Sequence, residues 1–163
     1  MSAVLEKKPT IALEADLGQR ESIYQPEQAG LIFPETPRFT DVKAHRQHLK
    51  EHLVGACRAF ALQGFDYGFA GHLTIRDPEH PELYWTNPMA VHFRDVKVSN
   101  LILADHEGKV VEGRHAINRA GFVLHAAVHQ AHPDIVAMCH AHTVYGTAYA
   151  SLAKPLAPIS QDA

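Results

Sequence analysis

Helical and strand periodicities alternate along this chain in an order that few folds can accommodate. Between Val42 and Phe60, apolar residues recur at gaps of three, four and seven, which predicts a helix with one apolar face. Thr40 or Asp41 is its predicted N-cap, and Gly64 is its predicted end. Short strand-like runs follow, then a second helix, another strand and a third helix. This order predicts an α/β protein, a three-layer α/β/α sandwich around a mostly antiparallel or mixed sheet.

Turn residues and caps set the boundaries of these elements. Gly108 is expected to adopt a positive φ in a hairpin turn, Asn118 to cap the second helix, and the His-Pro-Asp segment at 132–134 to end it. The run that ends at His140 is apolar enough to predict a buried strand. The predicted strands span residues 69–76, 83–87, 101–104, 109–112 and 135–140, and the second and third helices span residues 118–131 and 143–153.

Length and composition place these elements in one domain and narrow the possible functions. The 163 residues suffice for one domain, predicted over residues 39–163, after a proline-interrupted extension over residues 1–38. A net charge of −3 without a basic block argues against a nucleic-acid partner. Since no apolar run is long enough for a membrane span and no signal peptide is evident, we expect a cytoplasmic protein. Cys57 and Cys139 are predicted to be buried thiols rather than a disulfide.

Histidine is the overrepresented residue type, and two histidines form the sharpest motif. Thirteen of the 163 residues are histidines, and His140 and His142 stand in a His-Ala-His-Thr segment at the end of a predicted strand. Residues i and i+2 of a strand point to the same face, so this pair is predicted to hold one divalent cation. The place where a strand ends and a helix begins is also where α/β folds bind ligands.

A third metal ligand could come from the second helix. His125 and His129 lie one helical turn apart, as do His129 and His132. His125 could approach the metal pair if this helix packs beside the last strand. The favoured interpretation is instead that His125 is hydrogen-bonded to the backbone at the edge of the core, and that His129 and His132 lie at the surface.

Two further segments combine a glycine or a turn with polar side chains. Gly71 permits a close backbone approach, and His72 and Thr74 after it alternate onto one side of the strand. This pattern is typical of a cradle for carboxylate or phosphate, or else of a β-bulge with surface residues. Asn87 opens an Asn-Pro turn, and His92 stands between two apolar residues. His92 is therefore either a structural residue or one directed into a pocket.

Five segments resemble, in sequence and in order, the class II aldolase/adducin head-domain family. They are Gly-His-Leu-Thr-Ile-Arg at 71–76, Asn-Pro-Met-Ala-Val-His-Phe at 87–93, Ala-Gly-Phe-Val-Leu-His-Ala-Ala-Val-His-Gln-Ala-His-Pro-Asp at 120–134, His-Ala-His-Thr at 140–143 and Leu-Ala-Pro-Ile-Ser-Gln-Asp-Ala at 156–163. The resemblance implies an α/β/α sandwich whose C-terminal part is missing from this sequence. It also implies a homo-oligomer, commonly a cyclic tetramer.

The resemblance assigns a metal to the histidine pair. In aldolase members of the family, the matching pair binds zinc together with a third histidine, which here would lie beyond Ala163. The implied cofactor is a divalent metal at His140 and His142, with zinc first and iron or manganese as alternatives. The implied partner is a small-molecule substrate.

Departures from the pattern of sugar-phosphate aldolases narrow the implied chemistry. Those aldolases carry an acid/base glutamate where this chain has Gly121. Their phosphate-binding Gly-Asn and Thr-Gly pairs are replaced here by Gly71-His72 and Asn87-Pro88. A typical sugar-phosphate aldolase is therefore not expected.

Two functions are weighed from the sequence, and redox chemistry at a histidine-bound iron is a third possibility that two ligands leave open. The first is a metal-dependent, aldolase-like lyase acting on a small carbonyl or carboxylate substrate, with His72 or His92 as its catalytic acid/base. In that enzyme Gly71 and Asn87 would bind the substrate. The alternative is a non-catalytic, adducin-like oligomerisation or binding module.

Overall fold

A computed structural model describes residue 30 and residues 37–159 of the chain. The extension predicted for residues 1–38 lies, apart from residues 30, 37 and 38, outside the described residues. Its existence and the domain boundary at residue 39 therefore stay predictions. Among the described residues, no helix is both long enough and apolar enough to cross a membrane.

The first helix, α1, spans Val42–Leu62 and confirms the sequence prediction. Asp41 is its N-cap, since the carboxylate accepts hydrogen bonds from two backbone N–H groups of the first turn. At the other end Gly64 has a φ of +72°, and the N–H of Phe65 bonds to the carbonyl of Phe60. Both ends are thus fixed by local hydrogen bonds that satisfy orphan backbone groups.

Five antiparallel strands form a single sheet in the order β4-β3-β2-β1-β5. The strands are β1 His72–Arg76, β2 Leu83–Thr86, β3 Ile102–Asp105, β4 Val110–Glu112 and β5 Ala137–His140. Each predicted strand is present, but β1 begins three residues later than expected. The reason is Gly71, whose φ of +109° interrupts the extended backbone immediately before His72.

Helices cover both faces of this sheet, so the α/β fold has the three layers that the sequence predicts. The second helix, α2, spans Arg119–Ala131 with Asn118 as its N-cap, and the third, α3, spans Val144–Ala150. Helix α1 packs on one face of the sheet. The buried residues of this layer are Leu53, Val54 and Cys57 of α1 and Leu73, Ile75, Trp85 and Leu103 of the sheet. Against the other face pack α2 residues Phe122 and Ala126 with Tyr84 and Ala104.

The structure corrects two expectations about burial. The predicted buried strand 135–140 is β5, which lies at the edge of the sheet formed by the described residues. Its residues alternate between exposed and half-buried, and none is fully buried. Its Cys139 is accordingly an exposed thiol and not a buried one. Cys57 is buried as expected, and burial raises the pKa of its thiol to about 12. Both cysteines are free.

The strand register places polar side chains on the face that α2 covers. His72 pairs with His140, and Thr74 pairs with both Thr86 and Met138. Because side chains alternate along a strand, His72 and Thr74 share one face, and Leu73 lies on the apolar face packed by α1. The α2 side of the sheet is therefore where this fold assembles histidines.

Candidate functional site

Three of the histidines singled out in the sequence meet at the neighbouring ends of β1 and β5. His72 lies opposite His140 in the register, and the ring centroids of His140 and His142 are 4.7 Å apart. All three line a pocket of about 360 Å³ together with Gly71 and the first turn of α2. The structure thus brings the predicted metal pair, one predicted acid/base and one predicted substrate-binding residue to a single pocket.

Gly71 lets two segments approach each other at the wall of this pocket. A Cβ atom at this position would lie 2.7 Å from Cζ of Phe93 and 3.2 Å from the carbonyl oxygen of His140. Its positive φ also disfavours any other residue. A larger residue would push β1 away from His140, so Gly71 sets the distance between His72 and His140.

The hydrogen bonds around His72 define which of its ring nitrogens carries the proton. The Thr86 hydroxyl donates to the carbonyl of Leu73 at 2.8 Å, so its oxygen accepts from Nε2–H of His72 at 3.0 Å. Nδ1 of His72 is then an unprotonated nitrogen, buried and without a hydrogen-bond partner among the described residues. Burial, followed by the nearby His125 and His140, lowers the pKa of His72 to about 3.

Gly121 lies directly against this unprotonated nitrogen. A Cβ atom on Gly121 would be 3.4 Å from Cβ and Cγ of His72 and 3.5 Å from its Nδ1. A longer side chain at position 121 would therefore compete for the space around the imidazole. Glycine at position 121 therefore leaves room for the imidazole of His72, whose Nδ1 is a basic atom.

A second chain of hydrogen bonds orders the histidines of α2. Nδ1–H of His129 donates to the carbonyl of Ile135 at 3.2 Å, which leaves Nε2 to accept from the Thr74 hydroxyl at 2.9 Å. The Thr74 oxygen then accepts from Nδ1–H of His125 at 2.8 Å. Nε2 of His125 is consequently a buried, unprotonated nitrogen without a partner in the described part of the chain.

The sequence interpretation of these helical histidines was wrong in part. His125 bonds to the Thr74 side chain rather than to the backbone, and His129 is buried rather than exposed, at 1% exposure. Only His132 lies at the surface as expected. Thr74 bonds to His125 and His129, which are 51 and 55 residues away in the chain, and Thr86 bonds to His72, which is 14 residues away on another strand. The sequence therefore carried no local signal for these hydrogen bonds. The signal that was available is the alternation of His72 and Thr74 on one strand.

The residues present fit one part of a metal site. Nδ1 of His140 is buried without a hydrogen-bond partner among the described residues, as expected of a nitrogen reserved for another ligand. Burial, followed by His142, lowers the pKa of His140. The His125 ring centroid is 6.2 Å from that of His140. Within residues 37–159, no group of three or more His, Cys, Asp or Glu side chains is arranged to hold a metal ion.

The other two predicted site residues lie elsewhere. His92 lines a separate pocket of about 730 Å³, which His142 also lines. Its Nε2 lies 3.0 Å from Oδ2 of Asp66, and its Nδ1 accepts from Nε of Arg94 at 3.1 Å. Asn87 is 4% exposed and lines neither pocket, since its Oδ1 accepts from the backbone N–H of Leu73. The catalytic role of His92 and the substrate-binding role of Asn87 stay predictions.

The neutral, buried histidines make the stability of the metal-free protein sensitive to mild acid. The folded-state pKa of His72 is lowered to about 3 and that of His125 to about 4, from 6.5. At a pH below 6.5, the pKa of these histidines in the unfolded chain, the unfolded chain protonates both imidazoles while the folded chain keeps them neutral. Each histidine therefore contributes stability that is present above about pH 6.5 and is lost as pH falls, by about 1.4 kcal/mol per pH unit.

Urea unfolding in EDTA between about pH 7.5 and 5.5 measures this loss, because paired carboxylates titrate below that window. We expect His125→Gln to reduce the slope of this dependence, because His72 still contributes, and His106→Gln, at an exposed histidine, to leave it unchanged. A free energy of unfolding that stays constant across the window in the parent chain would contradict the prediction.

Comparison with known proteins identifies the protein family to which the chain belongs. Residues 51–163 match the family model described as class II aldolase and adducin N-terminal domain. The chain therefore belongs to the class II aldolase and adducin family, as the resemblance implied.

Individual relatives agree with this membership. Decarboxylase NovR of Streptomyces niveus is 43% identical over 133 residues, which are 80% of this chain and 49% of the relative. The 4-hydroxy-3-prenylphenylpyruvate oxygenase/4-hydroxy-3-prenylbenzoate synthase of Streptomyces roseochromogenus subsp. oscitans is 42% identical over 80% of this chain and 48% of its own length. The chain spans about half the length of these curated relatives.

A solved structure resembles the fold over most of the chain. The L-fuculose 1-phosphate aldolase from Glaciozyma antarctica PI12 superposes with a TM-score of 0.75 at 49% identity, over 78% of this chain and 53% of that one. The shared family and fold place the helix-covered sheet and its histidines in an aldolase-like framework.

Proposed function

We propose that this chain belongs to a lyase that breaks a carbon–carbon bond beside a carbonyl group in a small carbonyl or carboxylate substrate. The observation that carries the proposal is the unprotonated Nδ1 of His72, buried in the same pocket as His140 and His142. A base and a pair of metal-ligating imidazoles are the groups that such a reaction needs. The names of the relatives support it, since a decarboxylase and an aldolase both break a carbon–carbon bond.

In this proposal His72 transfers the proton. Nδ1, which its lowered pKa keeps unprotonated, accepts a proton from the substrate as the carbon–carbon bond breaks. The imidazolium formed is acidic and returns this proton to the carbon of the product. The Thr86 hydroxyl holds the required tautomer, because its own hydrogen is donated to Leu73 and its oxygen receives Nε2–H. Gly121 leaves the space around Nδ1 free of a competing side chain.

His140 and His142 would hold the divalent metal, with zinc as the first candidate and iron or manganese as alternatives. A bound cation would supply a Lewis acid for the negative charge that develops on the carbonyl oxygen. Two histidines are fewer protein ligands than a catalytic zinc ion usually has. In this proposal a further ligand comes from outside residues 37–159. We also propose the family's homo-oligomeric assembly, with a tetramer as the expected form, in the cytoplasm.

One observation favours a second candidate, an adducin-like binding or oligomerisation module. The described residues contain no group of three or more metal-ligating side chains. A module that only binds partners needs neither a complete metal site nor a base. In that case the histidines near Thr74 and Thr86 would serve only the packing of α2 on the sheet.

Turnover by the metal-loaded chain separates the two candidates. Protein loaded with zinc, manganese or iron is incubated with a panel of hydroxy and keto acids, and carbon dioxide and carbonyl products are quantified. The lyase proposal expects metal-dependent cleavage of at least one acid, with an EDTA-treated sample as the control. A folded, metal-loaded chain that cleaves no acid of the panel would favour the adducin-like module.

A further inference from the structure

We infer that the pocket of about 730 Å³ binds an organic acid, with Arg94 holding the carboxylate and an apolar wall holding the tail. This inference deepens the proposed function, because His142 lines this pocket as well as the one that contains His72. A substrate anchored by Arg94 could therefore extend past His142 to the proposed reacting centre. The volume lies in the range of pockets that bind small molecules.

Arg94 is held in place through one nitrogen and keeps its other donors free. Its Nε donates to Nδ1 of His92 at 3.1 Å, while Nε2 of His92 lies 3.0 Å from Oδ2 of Asp66. The two Nη groups form no hydrogen bond or ion pair with any residue in the described part of the chain. His92 is thus a positioning residue for a guanidinium whose remaining donors are available to a ligand.

Charge favours a carboxylate over a phosphate at this guanidinium. The residues that line the pocket include Arg94 as the one arginine, Asp66 as the one carboxylate, and no lysine. A carboxylate carries one negative charge, which one guanidinium neutralises with a planar pair of hydrogen bonds. A phosphate dianion would lack a second cation and would lie near the Asp66 carboxylate.

The rest of the pocket suits an apolar or aromatic tail. Tyr67 and Val144 line it and are 79% and 73% exposed, and Ala148 adds a third apolar surface. A bound tail would remove this apolar surface from water, which favours binding. The ligand class is therefore an organic acid with an apolar group, and not a small inorganic anion.

Calorimetric titration in EDTA tests this inference without turnover or metal. The probes are phenylpyruvate, its neutral amide, 4-methyl-2-oxopentanoate and inorganic phosphate. We expect the parent chain to bind at least one of the two acids more tightly than the amide and than phosphate. Arg94→Gln should raise the Kd of that acid at least about tenfold and leave the Kd of the amide unchanged.

The controls assign the effect to Arg94. Arg114→Gln removes the same charge at an exposed arginine outside both pockets and should leave every Kd unchanged. Arg94→Lys should retain part of the affinity for the acid. The inference is overturned if neither acid binds, if amide or phosphate binds as tightly as the acid, or if Arg94→Gln binds like the parent. None of these outcomes bears on the proposed metal site or on proton transfer by His72, which are tested separately.

Discussion

Replacing His72 with glutamine is expected to lower the turnover rate of the metal-loaded chain by about two to four orders of magnitude. Glutamine can keep a hydrogen bond to Thr86 at a similar size, but it has no basic nitrogen to place where Nδ1 lies. The loss should appear in kcat more than in KM, because the proton moves in the transition state. Single-turnover rates at full metal occupancy, with the best acid of the panel, measure it.

A parallel variant separates a base from a positioning residue. Nδ1 of His92 accepts a hydrogen bond from Nε of Arg94, and Nε2 lies 3.0 Å from Oδ2 of Asp66 without forming a hydrogen bond to it. His92→Gln should therefore raise KM through Arg94 and change kcat by less than His72→Gln does. Thermal unfolding of both variants checks that the fold is kept. If turnover is unchanged in His72→Gln, histidine 72 is not the base.

The helices and the existence of the strands could be predicted because their determinants are local. The Asp41 and Asn118 caps, the apolar stripe of α1 and the turn at Gly108 each lie within a few residues of the backbone they shape. The short 3₁₀ helices Phe93–Asp95 and Val98–Asn100 have no comparable periodicity, and the sequence did not predict them.

The burial of β5 could not be predicted from the strand itself. Its run of apolar residues is typical of a central strand, yet the sheet order places it at the edge. Whether a strand lies at the centre or the edge depends on pairing with distant segments, which periodicity does not encode. The same limit explains why Cys139 is exposed.

The residues of the candidate site likewise differ in whether a local sequence pattern identifies them. His140 and His142 were recognised because a two-residue spacing on a strand directs both side chains to one face. Thr74 was recognised as a polar neighbour of His72, but its hydrogen bonds to the histidines of α2 were not, and Thr86 was not recognised at all. Both threonines fix the tautomers of buried histidines by bonds across strands and layers. Arg94 was not recognised, although it follows His92 by two residues; it lies in the 3₁₀ helix Phe93–Asp95.

Mutating either histidine of the metal pair is expected to abolish stoichiometric metal binding. The pair would supply two ligands of one ion, so removing either leaves too few protein donors to hold it against EDTA washing. Metal analysis of the purified full-length protein, in the oligomer that it forms, should show about one ion per chain in the parent and almost none in His140→Ala or His142→Ala.

His115→Ala is the matched control, because His115 is exposed and lines neither pocket. Its metal content should equal that of the parent chain. The contrast with His125→Ala is also informative, because Nε2 of His125 is a buried nitrogen without a partner among the described residues. Its ring lies 6.2 Å from that of His140, so His125→Ala should retain the metal. Full metal retention in both His140→Ala and His142→Ala would remove the pair from the metal site and, with it, the Lewis acid of the proposed lyase.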